Sequence, residues 1–206
     1  VSGGSIANLT ALAAARHAML AETEYSSGVA YLSEQAHFSI LKALRIMGLT
    51  KEQIHMIPCD DSLRMDVLQL EQAILQDKKA GKKPFLVVAT AGTTNTGCID
   101  PLSRIADICQ IHRLWFHVDG AYGASALVSK KYRYLLEDVA RADSLVWDAH
   151  KWLFQTYACS TVLFRDRKHL AGFYSSDPEY LRDAAAENGE INYWAVSYTH
   201  LTLPTT

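Results

Sequence analysis

The chain has 206 residues, of which 49% are apolar and 20% charged, with a formal net charge of −2. That length can bury a substantial core and suits one domain or part of a larger one. The near-neutral charge supplies neither a basic patch for nucleic acid nor an acidic tail, and no apolar run approaches the ~18 residues of a membrane-spanning helix.

Taken in chain order, Ser2-Gly3-Gly4-Ser5 reads as a glycine-rich turn entering a helix, with Ile6, Leu9, Leu12, Ala13, Arg16 and Met19 following at helical spacing. Val29 to Leu32 looks like a short strand. A second helix from about Phe38 to Met47 turns Ile40, Leu41 and Leu44 inward and stops at Gly48. Asp66 caps a third helix bearing Val67, Leu70 and Ile74, which ends by Gly81. Phe85 to Thr90 is the clearest strand. Pro101 opens a helix with Leu102, Ile105 and Ile108, leading into the apolar run Leu114 to Val118, closed by Asp119. A further run, Ser144 to Trp147, precedes Asp148-Ala149-His150-Lys151-Trp152.

Strands and helices alternating at this spacing imply an α/β fold, a mostly parallel sheet flanked by helices. Ligands in such sheets gather at the carboxyl ends of the strands. The glycine turn, Thr90 to Thr94, Asp119 and the His150-Lys151 pair are therefore expected on one rim. Cys59, Cys98, Cys109 and Cys159 are too widely spaced for a zinc site, so no metal is expected. They read as reduced thiols, which suits a cytoplasmic protein. No signal peptide is expected, and because Val1 falls directly inside a motif, an amino-terminal segment is expected to precede it.

Each polar cluster admits a plain reading and a chemical one. The glycine turn can be an ordinary helix cap, or a phosphate cradle built on the Gly4 and Ser5 N–H groups. In the cradle, charge-assisted hydrogen bonds of ~1.5–3 kcal/mol each outweigh a helix dipole of ~0.3–1 kcal/mol. Asp119 can cap the segment after its strand. Equally, it can face a protonated pyridine nitrogen, which would offset a burial cost of several kcal/mol. Lys151 can be a surface lysine. Between His150 and Trp152 after an apolar strand it is instead expected to be shielded from water, which favours the neutral amine that forms an imine. His37 can be a helix-end residue, or can lay its imidazole over a ring. An acid at one strand end and a lysine near another is what a pyridoxal phosphate (PLP) enzyme requires.

Five segments in this order resemble the PLP-dependent decarboxylase family that includes aromatic-L-amino-acid and glutamate decarboxylases. They are Ser2 to Ser5, Ala36-His37-Phe38-Ser39, Ala89 to Thr94, His117-Val118-Asp119-Gly120-Ala121-Tyr122 and His150-Lys151-Trp152. The resemblance runs from Ser2 to Trp194 and implies the large PLP-binding domain of the aspartate-aminotransferase-like fold, in part, over residues 1–195. It implies that Lys151 holds the cofactor covalently, that Asp119 pairs with its ring nitrogen, and that His37 and Ala121 lie on opposite ring faces. Gly4, Ser5 and Asp148 would hold the phosphate, Thr94 would line the pocket, and His150 would lie beside the substrate. Asp148 stands where some relatives carry asparagine, and a carboxylate there is unfavourable unless protonated or turned away.

Asp177-Pro178-Glu179-Tyr180-Leu181 matches the loop whose tyrosine protonates Cα, which implies that role for Tyr180, with Tyr174 its local competitor. The implied reaction converts an L-amino acid, aromatic first and glutamate second, into its amine and carbon dioxide, in a homodimer. Another PLP enzyme on the same scaffold (an aldehyde synthase, desulfurase or lyase) and an inactive fragment are the alternatives. The family's flanking amino-terminal and carboxyl-terminal parts are missing here, so the chain alone is expected to be inactive. Residues 196–206 depart from the family pattern and are expected to be a non-native tail that packs poorly.

Overall fold

A computed structural model describes residues 1–174; Tyr180 and residues 196–206 lie outside the described residues. Six strands form one sheet in the order β2-β1-β3-β4-β5-β6, where β1 is Gly28–Ser33, β2 Ile54–Ile57, β3 Lys83–Thr90, β4 Trp115–Asp119, β5 Ser144–Asp148 and β6 Ser160–Phe164. The first five run parallel, so their carboxyl ends share one edge, and β6 pairs antiparallel with β5. The helices are α1 (Gly4–Met19), α2 (Phe38–Ile46), α3 (Val67–Lys79), α4 (Leu102–His112), α5 (Ala149–Trp152) and α6 (Arg167–Tyr174).

Alternation along the strands sorts the core into two layers. Val29 and Tyr31 of β1, Val87 and Ala89 of β3, and Phe116 and Val118 of β4 pack against Leu70 and Ile74 of α3 and Leu102, Ile105 and Ile108 of α4. The intervening residues Ala30, Leu32, Leu86, Val88 and Trp115 face Leu12 and Ala15 of α1 and Ile40, Ala43 and Leu44 of α2. Both faces are covered, which is why the central strands read as continuous apolar runs. Local chemistry sets the helix ends as expected: the Asp66 carboxylate accepts from the Leu68 and Gln69 N–H groups, and Pro101 stands at the head of α4.

Two strands escaped the sequence reading. Ile54-His-Met-Ile is an edge strand with most of its side chains half-exposed or exposed, so it carries no strong apolar run. The link from Asp148 to Ser160 holds only a single helical turn, too short for a parallel crossover, so β6 returns antiparallel. The inward face of α1 differs in part from the expected one. Leu12 and Ala13 are buried as expected, but Ile6 is exposed and Ala7, Asn8, Ala11, Ala14 and Ala15 are buried as well. Small alanines let this helix lie close across β3 to β6.

After β4 the chain turns at Gly120 into a short helical segment, Gly123–Val128. A Cβ built on Gly123 would stand 2.4 Å from the Ala91 carbonyl oxygen, a backbone atom that cannot swing aside. Gly123→Ala is therefore expected to cost about 3 kcal/mol through overpacking. For a chain of this size that lowers the unfolding temperature by roughly 6–12 °C in a thermal melt.

Candidate active site

Four strand ends and one helix start meet at the carboxyl edge of the sheet. The loop after β1 brings His37, with Ser39 following in the first turn of α2, and the end of β3 with its loop brings Thr90, Gly92 and Thr94. The end of β4 with its turn brings Asp119, Ala121 and Tyr122. Strand β5 and α5 bring Asp148, His150 and Lys151, and the start of α1 brings Ser2 to Ser5 and Asn8. All of them line one cavity of about 280 Å³, close to the lower end of the ~300–1,000 Å³ typical of small-molecule sites. Every described residue expected to bind or react is in this cavity. Tyr180 lies outside the described residues, and Tyr174 is turned away, its hydroxyl donating to the Thr10 carbonyl at 3.2 Å.

The floor is Asp119, 4% exposed. Its Oδ1 accepts from the Ala121 N–H at 3.1 Å and its Oδ2 from the Asn8 amide at 3.1 Å. Burial pushes its carboxyl above the usual range; the Ala121 amide, the Lys151 charge, the Asn8 amide and His37 oppose that rise. Among the described residues Asp119 has no cationic partner in contact, and a buried acid so placed is an unfinished ion pair. Beside it, the Thr90 hydroxyl is buried and hydrogen-bonds to no atom of the described residues.

At the rim, Val1 and Ser160 exchange two hydrogen bonds, of 2.8 and 3.1 Å, which fasten the glycine turn to β6. Gly3 adopts φ 111°, a conformation glycine reaches freely, and α1 starts with the Gly4 N–H pointing out of its first turn. A Cβ at Gly4 would lie 2.7 Å from Asp148 Oδ2, so only glycine allows the helix start to sit on that carboxylate.

Asp148 is almost fully buried. Its Oδ1 accepts from the Ser160 hydroxyl at 2.5 Å, and its Oδ2 lies 3.1 Å from Lys151 Nζ and 3.8 Å from His150 Nε2. The carboxylate is thus turned toward Lys151 and His150. Lys151 differs from expectation: its side chain is 39% exposed and held in an ion pair rather than buried as a neutral amine. The reason is positional, since α5 is one turn long and stands at the open mouth of the cavity.

His37 caps α2, its Nδ1 lying 3.3 Å from the Ser39 N–H and 2.7 Å from the Ser39 hydroxyl. The plain helix-end role and the cavity position therefore coexist. His150 is steadied by Cys159, whose N–H lies 3.2 Å from Nδ1, and by the Tyr157 ring at 5.1 Å. Sequence reasoning passed over Asn8 and Tyr157, and named Ser39, Thr90, Gly92 and Tyr122 only within longer motifs, without roles of their own. For Asn8 a signal existed: it is an amide on the alanine face of an apolar helix, where only a buried partner makes it tolerable.

This donor set fits a small aromatic aldehyde bearing a phosphate. It offers a buried acid for a positive ring nitrogen, a free hydroxyl beside it, a primary amine at the rim and outward N–H groups at a helix start for a dianion. All four cysteines are free, and none of the described helices is long and apolar enough to cross a membrane.

Comparison with known proteins agrees with that fit. Over 194 residues the chain is 46% identical to an aromatic-L-amino-acid decarboxylase of Bacillus atrophaeus, covering 94% of this chain and 40% of that protein. It is 40% identical over 174 residues to the cysteine sulfinic acid decarboxylase of Mus musculus, covering 82% and 35%. The fold matches the crystal structure of Oryza sativa TDC with PLP and tryptamine at a TM-score of 0.88 and 33% identity, covering 93% and 41%. The chain spans about 40% of the length of the relatives it matches. Residues 1–202 match the family defined by the pyridoxal-dependent decarboxylase conserved domain, and with a cavity suited to pyridoxal phosphate the chain belongs to that family.

Proposed function

We propose that this chain forms the cofactor-binding part of a carboxy-lyase that converts an L-amino acid into the corresponding amine and carbon dioxide. The observation that carries this reading is the single cavity shared by Asp119 and Lys151, an acid on its floor and an amine at its mouth. An aromatic amino acid is the first choice of substrate, supported by the likeness to the Bacillus atrophaeus enzyme. Glutamate or another acidic amino acid is the second, supported by the likeness to the mouse cysteine sulfinic acid decarboxylase.

Bound in the cavity, PLP supplies an electron-poor ring that accepts the electron pair left when the Cα–carboxylate bond breaks. The protein's part is positional and electrostatic. Lys151 would hold the cofactor through its amine, Asp119 would keep a positive charge on the ring nitrogen, and His37 and Ala121 would flank the ring. The Gly4 and Ser5 N–H groups grip the phosphate, and Thr94 closes that side. Asp148 anchors the Lys151 Nζ at the cavity mouth, and His150 meets the substrate from the same turn. Tyr180 delivers the proton to Cα after carbon dioxide leaves.

A homodimer is proposed on the exposed apolar residues Val128, Tyr132, Leu135 and Trp152, which form a face directly beside Lys151. A cytoplasmic location is proposed on the four free thiols.

The test is carbon dioxide and amine release from a panel of L-amino acids, using a protein that also carries the flanking segments of the relatives. Release is expected with aromatic substrates, and Tyr180→Phe is expected to divert the product toward aldehyde. Bound PLP with no carbon dioxide from any L-amino acid would replace this reading by another PLP reaction on the same scaffold.

A further inference from the structure

Trp115, His117 and Asp119 alternate along β4 and so face the same side of the sheet, toward α1. His117 is the register partner of Ser144 on β5, which brings those two side chains together. Their polar atoms form an unbroken buried line. Trp115 Nε1 donates to Ser144 Oγ at 2.9 Å, and Ser144 Oγ lies 2.8 Å from His117 Nδ1. His117 Nε2 lies 3.0 Å from Asn8 Oδ1, and Asn8 Nδ2 donates to Asp119 Oδ2 at 3.1 Å. His117 is fully buried and the other four members are nearly so.

The chemistry of the two ends fixes the direction of the line. An indole N–H can only donate, and a carboxylate can only accept. Asn8 must therefore turn its NH₂ to Asp119, which leaves its carbonyl for His117. His117 must then carry its proton on Nε2, and burial keeps the ring neutral by pushing its pKa down to about 3. Its bare Nδ1 accepts the Ser144 hydroxyl hydrogen, and a Ser144 lone pair receives the indole N–H.

A neutral group at position 119 allows the line to run backwards. His117 would then donate from Nδ1 to Ser144, which already accepts from Trp115, and the Ser144 hydrogen would lose its acceptor within the line. A buried donor without a partner is unfavourable. The indole thus biases the line toward the charged acid.

We propose that Asn8, His117, Ser144 and Trp115 are positioning residues that hold Asp119 as an oriented carboxylate, with His117 locked as its Nε2–H tautomer. The proposal deepens, and rests on, the reading of Asp119 as the acid that faces the cofactor's ring nitrogen.

The test is ¹⁵N NMR of the cofactor-free chain labelled at histidine, with the His117 signals assigned by their loss in His117→Gln. The proton is expected on Nε2. Asp119→Asn, whose amide donates toward Asn8, is expected to move it to Nδ1. Trp115→Phe, which keeps a ring but removes the donor, is expected to keep the proton on Nε2 while Asp119 is charged and to let it move to Nδ1 at a higher pH than in the parent as Asp119 takes up a proton. Asn8→Ser, which breaks the line next to the acid, is expected to weaken PLP binding roughly ten-fold in a spectral titration. A wild-type proton on Nδ1, or unchanged PLP affinity in Asn8→Ser, would overturn the proposal. Unchanged affinity in Asp119→Asn would instead sink the role of Asp119 itself, and the tautomer of His117 would still decide whether the line is directed.

Discussion

Borohydride reduction of the PLP-loaded chain is expected to leave the cofactor's mass on the peptide containing Lys151, and Lys151→Ala is expected to leave none. Lys151 is the one lysine among the residues lining the cavity, and its Nζ is held at its mouth by Asp148. Lys42, Lys130 and Lys131 are each placed elsewhere: Lys42 lies over the Phe38 ring, Lys131 over the Tyr132 ring, and none of the three lines the cavity. The amine must shed a proton before it can attack an aldehyde. Proximity drives the attack, because a cofactor held by its phosphate and ring nitrogen presents its aldehyde at high effective concentration. The variant should therefore still bind PLP reversibly through Gly4, Ser5 and Asp119 while losing the covalent adduct completely. Mass spectrometry decides it, and an adduct mapped to Lys42 or Lys130 would refute the assignment.

What could be read in the sequence was what local chemistry dictates. Asp66 and Pro101 mark helix starts because capping and a missing N–H act within one turn, and the structure has helices where they stand. The runs before Asp119 and Lys151 were legible because strands covered on both faces need continuous apolar sequence. Chemistry then made those two residues conspicuous, an acid and an amine where strands end. Other features depend on which elements meet, and no single segment carries that information. Ile54 to Ile57 became a strand only by joining the edge of β1. Asn8 acquired its function from the docking of α1 over β4, and His117 from its register opposite Ser144. Lys151 misled in one respect, since apolar neighbours in sequence do not bury a side chain on a one-turn helix at a cavity mouth. The resemblance also extends to Tyr180, which lies outside the described residues.

Asp119→Asn is expected to stabilise the cofactor-free chain while crippling its hold on the cofactor. Burial raises the carboxyl's pKa above its unfolded value, which is about 3.9. A group shifted upward contributes its stability below the unfolded pKa and loses it as pH rises through the folded one. Above the unfolded pKa the empty fold therefore accommodates this acid less well than the unfolded chain does, an effect only partly offset by the Ala121 and Asn8 N–H groups. Asparagine removes that liability at the smaller cost of the Ser144 hydrogen bond lost when the line reverses, so the variant should melt at a higher temperature than the parent at pH 7, with the difference closing as pH falls toward 4. Adding PLP reverses the order. The parent gains the binding free energy of a ligand that recognises only the folded state. The variant lacks the charge-assisted bond to the ring nitrogen, worth ~1.5–3 kcal/mol, and should bind PLP up to roughly a hundred-fold more weakly. Turnover in the extended protein should fall further, because an unprotonated ring is a poor electron sink. Melting curves with and without PLP at pH 4, 5.5 and 7 test every part of this. If PLP raises the melting temperature of parent and variant equally, Asp119 is not the partner of the ring nitrogen. If the crossover appears, the acid is kept buried at the expense of stability for the sake of the charge it must meet.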